Sequence, residues 1–239
     1  MGLMYWQIND IWQAPTWATI EYGLKWKMAH YYVQHMYESV YPLVILTPYL
    51  ANVTDENARI SIHVINDLLN EVHGQLICSV YTLDTFSIRL AAAFDVSLGF
   101  ATLQHVTDIP YSKLMKRAQC SEENSCLMHC SFTYDDQKIE QTLFLTRPKN
   151  YQLYQPNLAI QDIQQVSSRE IRITITATRP ALFVWLDLST KQTGYFSQNG
   201  FHMFEPTKTV SFYSWTSISD YQIVHSDWRV TSLFDVTQS

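Results

Sequence analysis

Two periodicities divide the chain. Between Tyr22 and Val40, apolar residues recur three and four apart, at Tyr22, Trp26, Ala29, Val33, Met36 and Val40. That spacing predicts one helix with a single apolar stripe, with Lys27, His30, Gln34 and Glu38 on another face. Pro42 is the expected stop. From Leu43 onward the period drops to two. Ile60, Ile62 and Val64 alternate with Ser61 and His63, and Leu76, Cys78 and Val80 form the next inward row. Asn70–Gly74 is the expected turn between them. Ile88, Leu90, Ala92 and Phe94 make a third inward row, and Cys126, Met128, Cys130, Phe132 and Tyr134 a fourth, with Gln141–Leu145 closing the region. After a linker at Arg147–Pro156 the alternation resumes. Ile171, Ile173, Ile175 and Ala177 face inward, Phe183–Leu186 is a buried strand, Ser197–Gly200 a turn, and Val210, Phe212 and Ser214 alternate again. Regularly spaced strands with polar turns indicate two antiparallel sandwiches of immunoglobulin-like size.

The stretch ahead of the helix obeys neither period. Leu3-Met4-Tyr5-Trp6 is a short apolar run, fit for a strand buried on both faces, and it breaks abruptly into Gln7, Asn9 and Asp10. Pro15 then blocks helix through a loop that carries Trp12 and Trp17. Strand, polar rim, tryptophan-rich loop and helix make one βα unit, and polar groups where a buried strand ends suit a ligand site at the mouth of an α/β barrel. A lone βα unit cannot bury its apolar strand. The chain therefore reads as part of something longer, with residues up to about Pro42 poorly anchored.

Composition narrows the function classes. The chain has 239 residues, 47% apolar and 16% charged, with net charge −6. Lys113, Lys116 and Arg117 form the nearest thing to a basic cluster, too small for a nucleic-acid footprint. No run reaches the length of a membrane span. There is no phosphate-binding glycine loop, no zinc-protease helix motif, no nucleophile elbow and no Cys-x-x-Cys pair. Cys120, Cys126, His129 and Cys130 include zinc-ligand types, but their spacing matches no common structural site. His30 and His35, five apart, share a helix face poorly and read as core-edge residues.

The order of residues adds what spacing does not. Tyr5-Trp6-Gln7-Ile8-Asn9-Asp10-Ile11-Trp12-Gln13-Ala14-Pro15-Thr16-Trp17-Ala18 resembles the last barrel strand and loop of the β-mannosidases of glycoside hydrolase family 2, nearest the animal lysosomal type. Glu21–Met28 resembles the start of their last barrel helix. Phe183–Asp187, Phe196–Phe201 and Val210–Trp215 resemble their C-terminal domain, and the middle matches more loosely around Cys120–Cys126. The resemblance implies a mainly β chain: the last βα unit of a (β/α)8 barrel at residues 1–42, then immunoglobulin-like β-sandwiches at 43–150 and 151–239.

It also implies a C-terminal portion of a retaining exo-glycosidase that removes terminal β-D-mannose from glycoprotein-derived oligosaccharides without metal or cofactor. Such chemistry needs two carboxyl groups about 5–5.5 Å apart. In the family both are glutamates on earlier barrel strands, so no catalytic residue is expected here and the chain alone is expected to be inactive. Trp6 would be the aromatic floor beneath the sugar, followed by a peptide that is often cis in barrels of this clan. Gln7, Asn9 and Asp10 would orient the loop and Trp6. Trp12 and Trp17 would either line the entrance or pack under the first sandwich. The expected partners are the β-mannoside substrate and the remainder of the barrel, with no nucleic acid and no membrane. The family's lysosomal setting, reached through an upstream signal peptide, implies a Cys120–Cys126 disulfide. Cys78 and Cys130, each on an inward row, are a further possible pair. Asn52-Val53-Thr54 is a glycosylation acceptor. The alternative is a non-catalytic sandwich module derived from such an enzyme.

Overall fold

A computed structural model describes residues 4–52, 54–189, 192–218 and 225–237. It divides into a central unit, Glu38–Tyr154, and a composite unit that joins Met1–Tyr37 to Gln155–Ser239.

In the amino-terminal part of the composite unit, helix α1 covers Met28–Met36, not Tyr22–Val40. Gly23 (φ 110°) and Leu24 (φ 68°) hold left-handed backbone that an α-helix cannot continue. The turn they make is closed by Leu24 N–H to Glu21 O, 2.9 Å, and Glu21 N–H to Lys25 O, 2.8 Å. At the other end, the Tyr37 N–H reaches the carbonyls of Gln34 and His35. The packed face also differs from the predicted stripe: Tyr31 is buried, while Ala29 and Met36 are exposed. The expected strand at Leu3–Trp6 does not form over Met4–Trp6, and Leu3 lies outside the described residues. A buried strand needs ladder partners for its backbone. The described residues here offer only isolated bridges, Asn9 to Ile20 and Ile20 to Trp26.

The central unit contains β1 (Val40–Thr47), β2 (Arg59–Asn66), β3 (Val72–Thr82), β4 (Ile88–Leu98), β5 (Thr102–Pro110), α2 (Tyr111–Ala118), β6 (Cys126–Tyr134) and β7 (Gln137–Phe144). One sheet has the order β1-β2-β5, the other β4-β3-β6-β7, all antiparallel. The predicted alternation is realised: Ile60, Ile62, Val64, Leu76, Val80 and Phe132 are all buried in one core. Pro42, expected to stop the helix, sits inside β1 opposite Val64. An edge strand tolerates the missing N–H. Gly74, expected in a turn, lies within β3, where a Cβ would fall 2.4 Å from Thr133 O and 2.7 Å from the Phe132 ring. Most of the expected linker, up to Tyr154, belongs here as well: the hydroxyl of buried Tyr151 accepts the Leu145 N–H at 2.8 Å.

The carboxy-terminal part of the composite unit contains β8 (Ala159–Ser167), β9 (Glu170–Thr176), β10 (Ala181–Leu188), β11 (Gly194–Phe196), β12 (Phe201–Met203), β13 (Thr207–Ser214), β14 (Trp228–Thr231) and α3 (Leu233–Thr237). Sheets β12-β10-β14 and β11-β13-β9-β8 form the second sandwich. Helix α1 is built onto it, so the amino-terminal segment is anchored, contrary to expectation. The Tyr31 hydroxyl accepts Phe196 N–H at 3.0 Å, the Tyr32 hydroxyl donates to Gly200 O at 2.8 Å, and Trp26 stacks on Tyr195 with centroids 4.5 Å apart.

Candidate functional site

The loop from Tyr5 to Lys27 is organised from inside by side chains of Asp10, Thr16, Thr19 and Lys27. Asp10 is buried. Its carboxylate accepts a hydrogen bond from the Thr16 hydroxyl and another from the Lys27 ammonium at 3.0 Å. The Thr16 hydroxyl also accepts the Ala18 N–H at 3.0 Å, a short-range turn that follows Pro15. Thr19, also buried, donates to Ile8 O and meets His30 Nδ1 at 2.9 Å. Backbone bonds from Asp10 N–H to Ile20 O and from Ile20 N–H to Ile8 O, both 2.9 Å, lace the two limbs together.

This frame turns the apolar side chains outward. Trp6 is 78% exposed, Trp12 63% and Trp17 82%, with Met4 and Ile11 beside them in sequence equally open. Neither Trp12 nor Trp17 is a core residue, so of the two alternatives the packed one is not observed. The Trp6–Gln7 peptide is cis. Among the described residues, the side chains of Gln7 and Asn9 make only weak local contacts, Gln7 Nε2 to Asn9 O at 3.4 Å and Asn9 Nδ2 to Asp10 O at 3.3 Å, with Gln7 half-buried and Asn9 exposed. Asp10 differs: its oxygens face the loop interior. Sequence reasoning missed Thr16, Thr19 and Lys27, whose roles arise from partners 6 to 17 residues away.

The Thr16 hydrogen bond, aided by Lys27 against the opposing effect of burial, holds the Asp10 carboxyl below the usual carboxylate range. Burial pushes His30 down. Because folding lowers the Asp10 pKa, its contribution to stability is complete above the ordinary value and is lost as pH falls through the lowered one. Asp10→Ala is expected to loosen the loop while leaving both sandwiches folded. Amide hydrogen exchange should accelerate at Ala18, Thr19 and Ile20, with no change in β2 or β9. Unchanged protection at those three amides would contradict this assignment.

All four cysteines are paired, Cys120 with Cys126 and Cys78 with Cys130, so none offers a thiolate to a metal. Asn52 lies exposed at a turn closed by Asp55 N–H to Asn52 O, 2.9 Å; Val53 lies outside the described residues.

Comparison with known proteins gives this arrangement a context. A sequence model described as "Mannosidase Ig/CBM-like domain" matches residues 58–150, and an "Ig-fold domain" of mannosidases matches 153–236. Curated β-mannosidases from Bos taurus and Mus musculus are 31% and 32% identical over 98% of this chain, a span that includes the tryptophan loop. The chain is homologous to the C-terminal part of the β-mannosidases. It spans 26% of the length of those relatives. Two solved structures share the fold. The β-D-mannosidase of Dictyoglomus thermophilum has TM-score 0.69 and 15% identity, over 95% of this chain and 26% of that one. The Amycolatopsis orientalis exo-chitosanase CsxA has TM-score 0.58 and 13% identity, over 97% of this chain and 31% of that one. The β-mannosidase homology therefore joins a tryptophan loop to two immunoglobulin-like domains. Among the described residues no helix is long and apolar enough to cross a membrane.

Proposed function

We propose that this chain is the carboxy-terminal portion of a retaining β-mannosidase, and that its Trp6 loop supplies one wall of the sugar site while the catalytic carboxylates come from elsewhere in the protein. The observation that carries the reading is the outward display of Trp6, Trp12 and Trp17 on a loop held from inside by Asp10, Thr16, Thr19 and Lys27. A flat indole face suits the C–H face of a pyranose, and its N–H can donate to a polar partner. Gln7 and Asn9 carry amides for hydroxyl recognition. Asp10 acts through the loop as a positioning residue. The remainder of the barrel is the partner that covers the exposed apolar side chains.

On this reading the substrate is a terminal β-mannoside of a glycoprotein-derived oligosaccharide, hydrolysed by two carboxyl groups without a metal or cofactor. The compartment is the lysosome, reached through the secretory pathway. Two disulfides suit an oxidising route, and exposed Asn52 would carry a glycan. The test is a panel of aryl β-mannoside, β-glucosaminide and β-galactoside offered to the full-length protein. Preference for the mannoside is expected. Preference for either other sugar would overturn the substrate, and no turnover of any would favour the non-catalytic module.

A further inference from the structure

The third inward row of the central unit is in register but uncovered. Leu90, Ala92 and Phe94 of β4 lie opposite Val80, Cys78 and Leu76 of β3, on the core face of the sheet. Yet Leu90 and Phe94 are only half-buried and Ala92 is exposed, while their partners on β3 are buried. The reason is a gap between two edge strands, β4 of one sheet and β5 of the other. The gap is a cavity of about 240 Å³. Its lining is mostly hydrocarbon and sulfur, from Val80, Leu90, Phe94, Leu114, Met128 and the Cys78 end of the disulfide, with the half-buried Thr107 adding one hydroxyl.

Its rim is cationic. Lys113 and Arg117, one helical turn apart on α2, line the mouth, and both are exposed. Among the described residues neither has a carboxylate partner. Asp108 also lies at the rim, but its carboxylate is engaged by His105 at 3.2 Å and by the Ser61 hydroxyl. Two unpaired cations beside a hydrocarbon pocket are complementary to one ligand class. A neutral sugar would need several directed hydrogen-bonding groups inside the pocket, and that lining does not supply them.

We infer that this cavity binds a small amphipathic anion, its hydrocarbon body between β4 and the β5–α2 edge and its carboxylate or sulfonate head at Lys113 and Arg117. The site lies wholly in residues 78–128 and rests on nothing in the β-mannoside reading. Burial of the hydrocarbon drives binding, and the two cations select the sign of the head group.

The test titrates decanoate, below its micellar concentration, into residues 1–239 by calorimetry, with decyltrimethylammonium and mannobiose as comparisons. One decanoate per chain is expected, with at least about tenfold weaker binding of the cation. Charge reversal of the two exposed rim residues, K113E with R117E, should weaken decanoate by at least about tenfold while the melting temperature holds. Ala92→Phe, which fills the cavity, should abolish binding. If that variant misfolds, the rim variant still decides. Equal decanoate affinity in the rim variant, equal affinity for both head-group signs, or tighter binding of mannobiose would each overturn the proposal. So would decanoate retained by a folded Ala92→Phe protein, which would place it at the exposed tryptophans instead.

Discussion

Replacing Cys78 and Cys130 together by alanine is expected to cost the central unit about 4 kcal/mol. The two residues face each other across β3 and β6 and are separated by 52 residues. In the chain-entropy account a loop of that length constrains the unfolded state by about 4 kcal/mol, against about 2 kcal/mol for the six-residue separation of Cys120 and Cys126. Domain stabilities are about 5–15 kcal/mol, so the first loss is a large fraction and the second is not. Both Cys78 and Cys130 are buried, and their sulfurs also fill the core. Urea unfolding should show a much lower midpoint for the Cys78/Cys130 variant than for the Cys120/Cys126 variant, with the composite unit unaffected. A loss below about 1 kcal/mol for the long-loop pair would contradict this account.

Trp6→Ala should separate activity from stability. Trp6 is 78% exposed here, so in residues 1–239 the change should move stability by no more than about 0.5 kcal/mol. In the full-length protein the same ring would face the sugar. Truncating a buried aromatic anchor there costs about 2 kcal/mol or more, which is about 30-fold in kcat/KM. A competing outcome exists if the ring also packs against barrel neighbours, where Trp→Ala costs about 3–5 kcal/mol of stability. Trp6→Phe distinguishes the two, because it keeps much of the volume but loses the indole N–H and part of the stacking face. An intermediate kcat/KM at unchanged melting temperature is expected for Trp6→Phe. Full activity of Trp6→Phe, with Trp6→Ala failing only by unfolding, would make Trp6 a packing residue.

The strands were legible where alternation was strict. Ile60, Ile62 and Val64, and again Ile171, Ile173 and Ile175, are buried in alternation as their spacing predicted. The sequence pattern predicts no helix at α2, where Lys113, Lys116 and Arg117 stand out only as a basic cluster. Its legible signal was Tyr111, Leu114, Met115 and Ala118, three and four apart and all buried. The apolar stripe from Tyr22 extends beyond the helix, since Gly23 and Leu24 break it with a left-handed turn. Leu90 and Phe94 faced the predicted way, but no periodicity reports that the opposite sheet stops short of them. At the site, Trp6, Gln7, Asn9 and Asp10 stood out by residue type. The inward aim of Asp10 did not, because it depends on Thr16 and Lys27 closing over it from two other parts of the loop.

That inward aim bears on the central claim, that this chain holds a wall of a sugar site without its chemistry. A two-carboxylate mechanism needs a nucleophile and a proton donor on the substrate. Asp10 is one carboxylate, already engaged by Thr16 and Lys27. The direct measurement is release of chromophore from an aryl β-mannoside by purified residues 1–239, beside the full-length protein under the same conditions. The account predicts turnover by the full-length protein and none above the buffer blank by residues 1–239. Turnover by residues 1–239 that survives repurification and disappears when Asp10 or another residue of this chain is substituted would contradict it.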